Sequence, residues 1–187
     1  MTKSQRTLLL VWHSRTGASR QLAAAAARGA RQSLNASKGD GAGNEMRPTS
    51  PHETTVRVDS VHARGVHAQR VCAASAYIFV APENLAALSG AMKEFFDRTY
   101  YGVLDRVAGR PYAVIIAAGS DGQGALRQLQ RIATGWRLRP VADPVIVITR
   151  AQVPAAILAP KQVGEADLAR AAELGAAMAQ GLLMGVF

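Results

Sequence analysis

TLLLVWHSRTGASRQL, residues 7–22, changes character within a few positions, and the rest of the chain is organised around that change. Thr7 to Trp12 is a short apolar run of strand-forming residues, whereas from Ala18 onward apolar and small residues recur at helical spacing. Between them lie His13, Ser14, Arg15, Thr16, Gly17, Ala18 and Ser19. A strand that ends in a turn of hydroxyls and glycine and opens straight into a helix gathers backbone N–H groups, hydroxyls and the positive end of a helix dipole around one small volume. Such a volume suits a phosphate. The turn is not of Walker type, since no Gly-Lys-Ser/Thr follows, and not a GxGxxG dinucleotide turn, since it holds one glycine. Read without a ligand, the same residues make Ser14 and Thr16 helix caps and Gly17 the relief of a tight turn.

Working outward, Ala18 to about Leu34 predicts an alanine-rich helix with Leu22, Ala26 and Ala30 on one side. Small inner residues let it lie close to a sheet. Asn35 to Glu53 is rich in Gly, Ser, Asn and Pro with almost no bulky apolar residue, which predicts a flexible insertion. The chain before it is too short to fold alone, so residues 1–187 are expected to form a single domain. Thr54 to Asp59 alternates as a strand, and Val66 to Ala74 supplies a brief helix. Ala76 to Ala81, AYIFVA, is a continuous apolar strand of the kind buried on both faces of a parallel sheet.

Pro82 to Leu88 leaves that strand as a loop, and Ser89 is the expected N-cap of a helix from Gly90 to about Tyr100. After the turn Gly109-Arg110-Pro111, Tyr112 to Ala118 predicts another buried strand. It runs into Gly119-Ser120-Asp121-Gly122-Gln123-Gly124 and a helix from about Ala125 to Trp136. Val141 to Thr149 predicts a fifth strand, with Pro144 suited to an edge. Val153 to Val163 reads as a proline-punctuated connection, and Glu165 to Leu183 as a closing amphipathic helix. Strand and helix in alternation predict an α/β fold, a doubly wound five-stranded parallel sheet of order 2-1-3-4-5 with helices on both faces. In that order the loops after strands one, three and four converge on one crevice.

Charge and composition narrow the function without naming it. The chain has 22 basic against 13 acidic residues, a net charge of +9 and a pI near 10.6, which favours anionic ligands. The arginines are spread over presumed helix faces (Arg20, Arg28, Arg31, Arg127, Arg131) with no interleaved aromatics, which argues for a solvated surface and against specific nucleic-acid binding. Cys72 is the only cysteine, so no intrachain disulfide, CxxC pair or cysteine-rich zinc site is available. Among Val71, Ala73 and Ala74 it reads as a small buried thiol. No secretory leader and no membrane span are expected, and a cytoplasmic location fits the cysteine usage.

Ser14, Thr16, Gly17 and Ser19 stand at the positions of the pattern Ser/Thr-x-Thr-Gly-x-Ser/Thr, and the turn resembles the phosphate loop of the flavodoxin-like superfamily. The resemblance implies an FMN 5′-phosphate held by these hydroxyls and neighbouring amides, with Arg15 adding a charge that such loops do not require. FVAPENLAALSGAMKEFFDRTYY, residues 79–101, resembles the NADPH-dependent FMN reductases and quinone reductases of that superfamily. Pro82, Glu83 and Asn84 match part of their loop after the third strand; Gly90, Met92, Lys93, Phe95, Phe96 and Asp97 match the helix that follows. By resemblance the loop, including Leu85, lies against the isoalloxazine ring. Gly119, Ser120, Gly122 and Gln123 match the small, polar second wall, and Asp121 in the same loop is a further candidate of the site. The aromatic residue that the family often offers to the ring is missing, and Trp12, Tyr100 or Tyr101 replaces it only if the fold or a partner subunit brings one there.

What the resemblance implies is an FMN-dependent oxidoreductase that takes electrons from NAD(P)H and passes them to a quinone, flavin or similar small-molecule acceptor, working as a homo-oligomer, dimer or tetramer. Two other readings stay open. An electron carrier of flavodoxin type is one, although such carriers are usually acidic. A cofactor-free binding or regulatory module is the other. No catalytic acid or base is assigned: Asp121 and His13 fall near the expected crevice, but neither has a partner at a recognisable spacing. No HExxH, Ser-His-Asp order or carboxylate cluster occurs, which leaves little support for a hydrolase or a metal site.

Overall fold

The computed structural model describes residues 4–39 and 54–187. Its elements follow the chain as β1 (Ser4–Trp12), α1 (Ala18–Gly39), β2 (Thr54–His62), α2 (Ala68–Ala73), β3 (Ala76–Asn84), β4 (Ala87–Leu88), α3 (Gly90–Val103), β5 (Pro111–Ala118), α4 (Gln123–Gly135), β6 (Arg139–Pro140), β7 (Val145–Ile148), α5 (Pro154–Leu158) and α6 (Glu165–Met184). The parallel sheet runs β2-β1-β3-β5, with β6 and β7 both pairing the free edge of β5 and β4 folded back antiparallel on β3. This is the expected doubly wound order, but among the described residues the sheet has seven strands: the expected fifth strand, Val141–Thr149, pairs only as β7, short β6 precedes it on the same edge, and β4 is an unexpected antiparallel strand.

The apolar runs bury both faces because successive side chains of a strand point to opposite sides. Leu8, Leu10, Ile78, Val80, Ala113 and Ile115 face α1 and α6, while Leu9, Val11, Tyr77, Phe79, Val114 and Ile116 face α2, α3 and α4. The two layers differ in grain. Beneath α3 and α4, Phe79, Phe95, Phe96 and Trp136 pack ring against ring. On the other face α1 and α6 approach so closely that a Cβ at Gly29 would meet the Ala172 carbonyl, and one at Gly175 the Ala26 carbonyl. No helix of the described residues is long and apolar enough to cross a membrane.

Several sequence expectations are corrected. Helix α1 runs on through residues 35–39, the start of the expected flexible insertion. Gln180 of α6 anchors that extension by donating to the Ser33 carbonyl and the Ser37 hydroxyl. The remainder of the insertion, 40–53, lies outside the described residues. The expected helix over 66–74 is a 3₁₀ turn (Ala63–Gly65) followed by the short α2. Helix α4 starts at Gln123 and ends at Gly135, so that Trp136 is its buried C-cap. From Val141 to Pro144 the fifth strand is interrupted, and pairing resumes at Val145. Cys72 is half-buried, its thiol 3.5 Å from the Gly102 carbonyl.

Pro82 to Leu88, expected as a loop, is instead the tip of a β-hairpin. Strand β3 continues through Asn84, turns at Leu85 and Ala86, and returns as β4, with Glu83 opposite Leu88 and Asn84 opposite Ala87. Both turn residues have positive φ, 52° and 56°, which marks a tight primed turn that usually requires Asn or Gly. Neither is present, so periodicity and turn chemistry could not reveal the hairpin.

Candidate functional site

The carboxyl ends of β1, β3, β5 and β7 border a cleft of about 790 Å³ at the point where the chain reverses direction across the sheet. Its walls include Ser14, Arg15, Thr16, Ala18 and Ser19 from the first turn, Pro82, Glu83, Asn84, Leu85 and Ala86 from the hairpin, and Gly119 and Ser120 after β5. Three loops far apart in sequence thus meet as the strand order demands.

In the first turn, Gly17 adopts a φ of 98°, a conformation that side chains strain against. Its N–H donates to the Ser14 hydroxyl at 3.1 Å, so Ser14 shapes the turn while lining the cleft. Among the described residues, the N–H groups of Thr16, Ala18 and Ser19 donate to no other protein group. The Ser19 hydroxyl is buried beside the cleft without a hydrogen-bond partner. A buried orphan hydroxyl costs free energy unless a ligand satisfies it, and unpaired amides at a helix start are a ready anion cradle. Arg15 is exposed, and no carboxylate among the described residues pairs with it. These features fit a phosphate.

At the opposite end aliphatic and backbone surface from Pro82, Leu85, Ala117, Ala118 and Gly119 is interspersed with the polar Asn84, Ser120 and Thr149. Glu83 does not present a free carboxylate there. Its oxygens accept the N–H groups of Gly122 (2.7 Å) and Ala125 (3.1 Å), capping the N-terminus of α4. The Gln128 side chain accepts the Leu88 N–H at 2.7 Å. Gly124 lets the Ala86 carbonyl come closer than any Cβ there would allow. The hairpin is therefore latched to α4 at several points, which holds its strained turn in place.

Other sequence candidates lie off the walls. Asp121 caps the Gln123 N–H at 3.3 Å and is exposed, while Gly122 is buried with a φ of 83°. Neither lines the cleft, nor does Gly17 itself. Ser89 occupies the N-cap position of α3, but its hydroxyl pairs with His13 Nδ1 at 2.7 Å instead of capping the helix. The His13 ring lies 5.5 Å from that of His62. Burial, then the neighbouring His62, Arg64 and Arg15, holds its pKa below the usual histidine value. Trp12 packs edge-on against His62, and Tyr100 and Tyr101 pair with each other on exposed positions of α3. No aromatic side chain among the described residues lines the cleft.

The wall that the sequence did not disclose comes from the connection after β7. Thr149, Ala151, Ile157, Leu158 and Lys161 all line the cleft. The Lys161 N–H donates to the Thr16 carbonyl at 2.7 Å, and Gln21 of α1 donates to the Lys161 carbonyl at 2.6 Å and accepts the Val163 N–H at 3.2 Å. A Cβ at Gly119 would stand 2.8 Å from the Ala151 carbonyl, so this connection presses close to the loop after β5. The one available signal was its position after a strand end at the switch-point edge of the sheet.

A parallel sheet of this order with a phosphate-fitting turn after its first strand defines a flavodoxin-like α/β protein. Known structures share the fold. An archaeal flavodoxin superimposes with a TM-score of 0.65 at 15% identity, covering 94% of this chain and 98% of that one. A WrbA-like flavodoxin from Agrobacterium tumefaciens gives 0.59 at 18%, covering 96% and 98%. An oxidoreductase from Corynebacterium diphtheriae gives 0.63 at 19%, covering 98% and 99%. No curated protein matches in sequence. The model of the NADPH-dependent FMN reductase family matches residues 12–152, well over half of the chain, and the chain belongs to that family. It is an FMN-binding oxidoreductase dependent on NAD(P)H.

Proposed function

We propose that the protein uses the cleft to hold FMN with its phosphate in the first turn and its ring between the hairpin and the loop after β5, and that it passes electrons from NAD(P)H to a quinone, flavin or similar small acceptor. The observation that carries this reading is the pairing, inside one cleft, of an unsatisfied phosphate-fitting turn with a far end where aliphatic and backbone surface carries a few polar side chains. FMN, when bound, supplies the redox chemistry, accepting a hydride and returning electrons.

The chain's own residues bind and orient. Ser14, Thr16 and Ser19 offer hydroxyls, and the turn amides and the start of α1 add a favourable field for the phosphate. Gly17 lets the backbone approach, and Arg15 supplies charge at the rim. Pro82, Asn84, Leu85, Gly119 and Ser120 flank the ring. Glu83, Asp121 and Gly122 act indirectly, by fixing the start of α4 against the hairpin. No side chain of the cleft is assigned a proton-transfer role. Self-association belongs to the same reading, with exposed Tyr100, Tyr101 and Leu104 at the end of α3 as the apolar face; analytical ultracentrifugation tests it.

An absorbance spectrum after loading with FMN and gel filtration, followed by anaerobic mixing with NADPH and, separately, with NADH in a stopped-flow cell, tests the whole reading. Flavin that travels with the protein and bleaches with NADPH is expected. A protein that cannot be loaded sinks it, and loading without bleaching by either nicotinamide leaves only an electron carrier.

A further inference from the structure

The chain from Thr149 to Val163 forms a strap along one side of the cleft. At its start, the Thr149 N–H and hydroxyl both donate to the Ala118 carbonyl, beside the ring end. At its finish, the Lys161 N–H on Thr16 and the Gln21 amide clamp tie it to the phosphate end. Helix α5 lies between these tethers and buries none of its own residues. The Lys161 ammonium holds its last turn by donating to the carbonyls of Ile157 and Ala159 at 3.0 and 2.6 Å. Polar tethers therefore position an element whose apolar side chains have no core to join. Ile157 and Leu158 are 50% and 78% exposed, yet both line the cleft.

Exposed apolar side chains held beside a cleft signal an apolar occupant. The cleft has no aromatic wall among the described residues, and the match to the family ends at residue 152, before either side chain. We infer that Ile157 and Leu158 cover a flat conjugated ring bound in the cleft, as an aliphatic replacement for a stacking aromatic. This rests on the FMN reading above. The ring is the cofactor's isoalloxazine or that of the electron acceptor; the two share the chemistry, and the experiment separates them.

The test compares the full chain with Ile157→Ser, Leu158→Ser and Leu158→Phe. These exposed positions leave the fold intact, which circular dichroism checks. If the strap covers the cofactor ring, Leu158→Ser together with Ile157→Ser weakens FMN and riboflavin equally, by about tenfold or more. Iodide quenching of the bound flavin's fluorescence rises with it, and Leu158→Phe moves both readings the other way. If it covers the acceptor, FMN affinity and quenching hold steady, bleaching by NADPH keeps its rate, and the KM for a simple quinone such as benzoquinone rises several-fold. Wild-type protein that retains no FMN overturns this inference together with the functional reading. Wild-type protein that retains FMN, with affinity, quenching and quinone KM all unmoved in the variants, overturns this inference alone.

Discussion

At the phosphate end of the cleft the turn is shaped by its own residues, with Ser14 accepting the N–H of Gly17 three positions on and Gly17 supplying the positive φ. At the end proposed for the ring, the hairpin keeps its shape through Glu83 and Leu88, which reach partners at the start of α4 and on it some forty residues away: Glu83 to Gly122 and Ala125, and Leu88 to Gln128. One end bends around its own glycine and hydroxyl, with the strap tied to it at Thr16; the other carries two non-glycine residues at positive φ and depends on a neighbouring helix. A ligand site can thus be half written in a short motif and half assembled by tertiary contacts. The two ends are therefore expected to respond differently to mutation.

The sharpest break comes at the phosphate end. Ser14→Ala combined with Thr16→Ala removes two hydroxyls from the cradle and is expected to lower FMN affinity by about 100-fold or more. Flavin-fluorescence titration measures it, and unchanged affinity would move the phosphate elsewhere. Glu83→Ala separates the two ends. Loss of a carboxylate cap costs roughly 1–2 kcal/mol, which lowers the thermal midpoint by about 2–8 °C for a chain of this size. FMN is expected to weaken while inorganic phosphate binds as before, and equal loss of both would mean that the ends are not independent.

Gly124→Ala attacks the same latch from α4, because the new Cβ would run into the Ala86 carbonyl. Overpacking of this kind costs about 1–3 kcal/mol, read in a urea titration. Leu85→Asn works in the opposite direction. Asn tolerates positive φ, so it is expected to stabilise the hairpin by up to about 1 kcal/mol. No stabilisation in the same titration would show that the turn is not strained in solution.

The smallest effect is in pH. Because the pKa of His13 lies below its unfolded value in the folded protein, the unfolded chain takes up the proton first as pH falls. Stability then declines on acidification through the ordinary histidine value of about 6.5. His13→Asn is expected to flatten the thermal midpoint between about pH 7 and pH 5. An unaltered slope would assign the acid sensitivity to other groups.

The parts of the site legible in the sequence are those whose determinants sit within a few residues. Ser14, Thr16, Gly17 and Ser19 announce the turn because hydroxyl spacing and glycine are local signals. Gly119 and Ser120 announce the second wall for the same reason. Glu83 was legible only as a member of a resembling motif, and its work as a cap for α4 was not, because the amides it meets belong to another element. The strap reads as a plain connection in the sequence, since nothing in VPAAILAPKQV, residues 153–163, distinguishes it from an ordinary loop.

The sequence by itself determined the alternation of buried strands and helices, and hence the crevice at the ends of β1, β3 and β5, since burial on both faces leaves a continuous apolar imprint. It also determined the phosphate-fitting turn. Folding supplies what no local pattern carries: Pro82 to Leu88 is a hairpin, Glu83 points its carboxylate at α4, and residues 149–163 return to close one side of the cleft. Range separates the two. Periodicity and turn chemistry report what a residue prefers among its neighbours in the chain, whereas a strained turn and a tethered strap hold their shapes through partners that folding alone brings near.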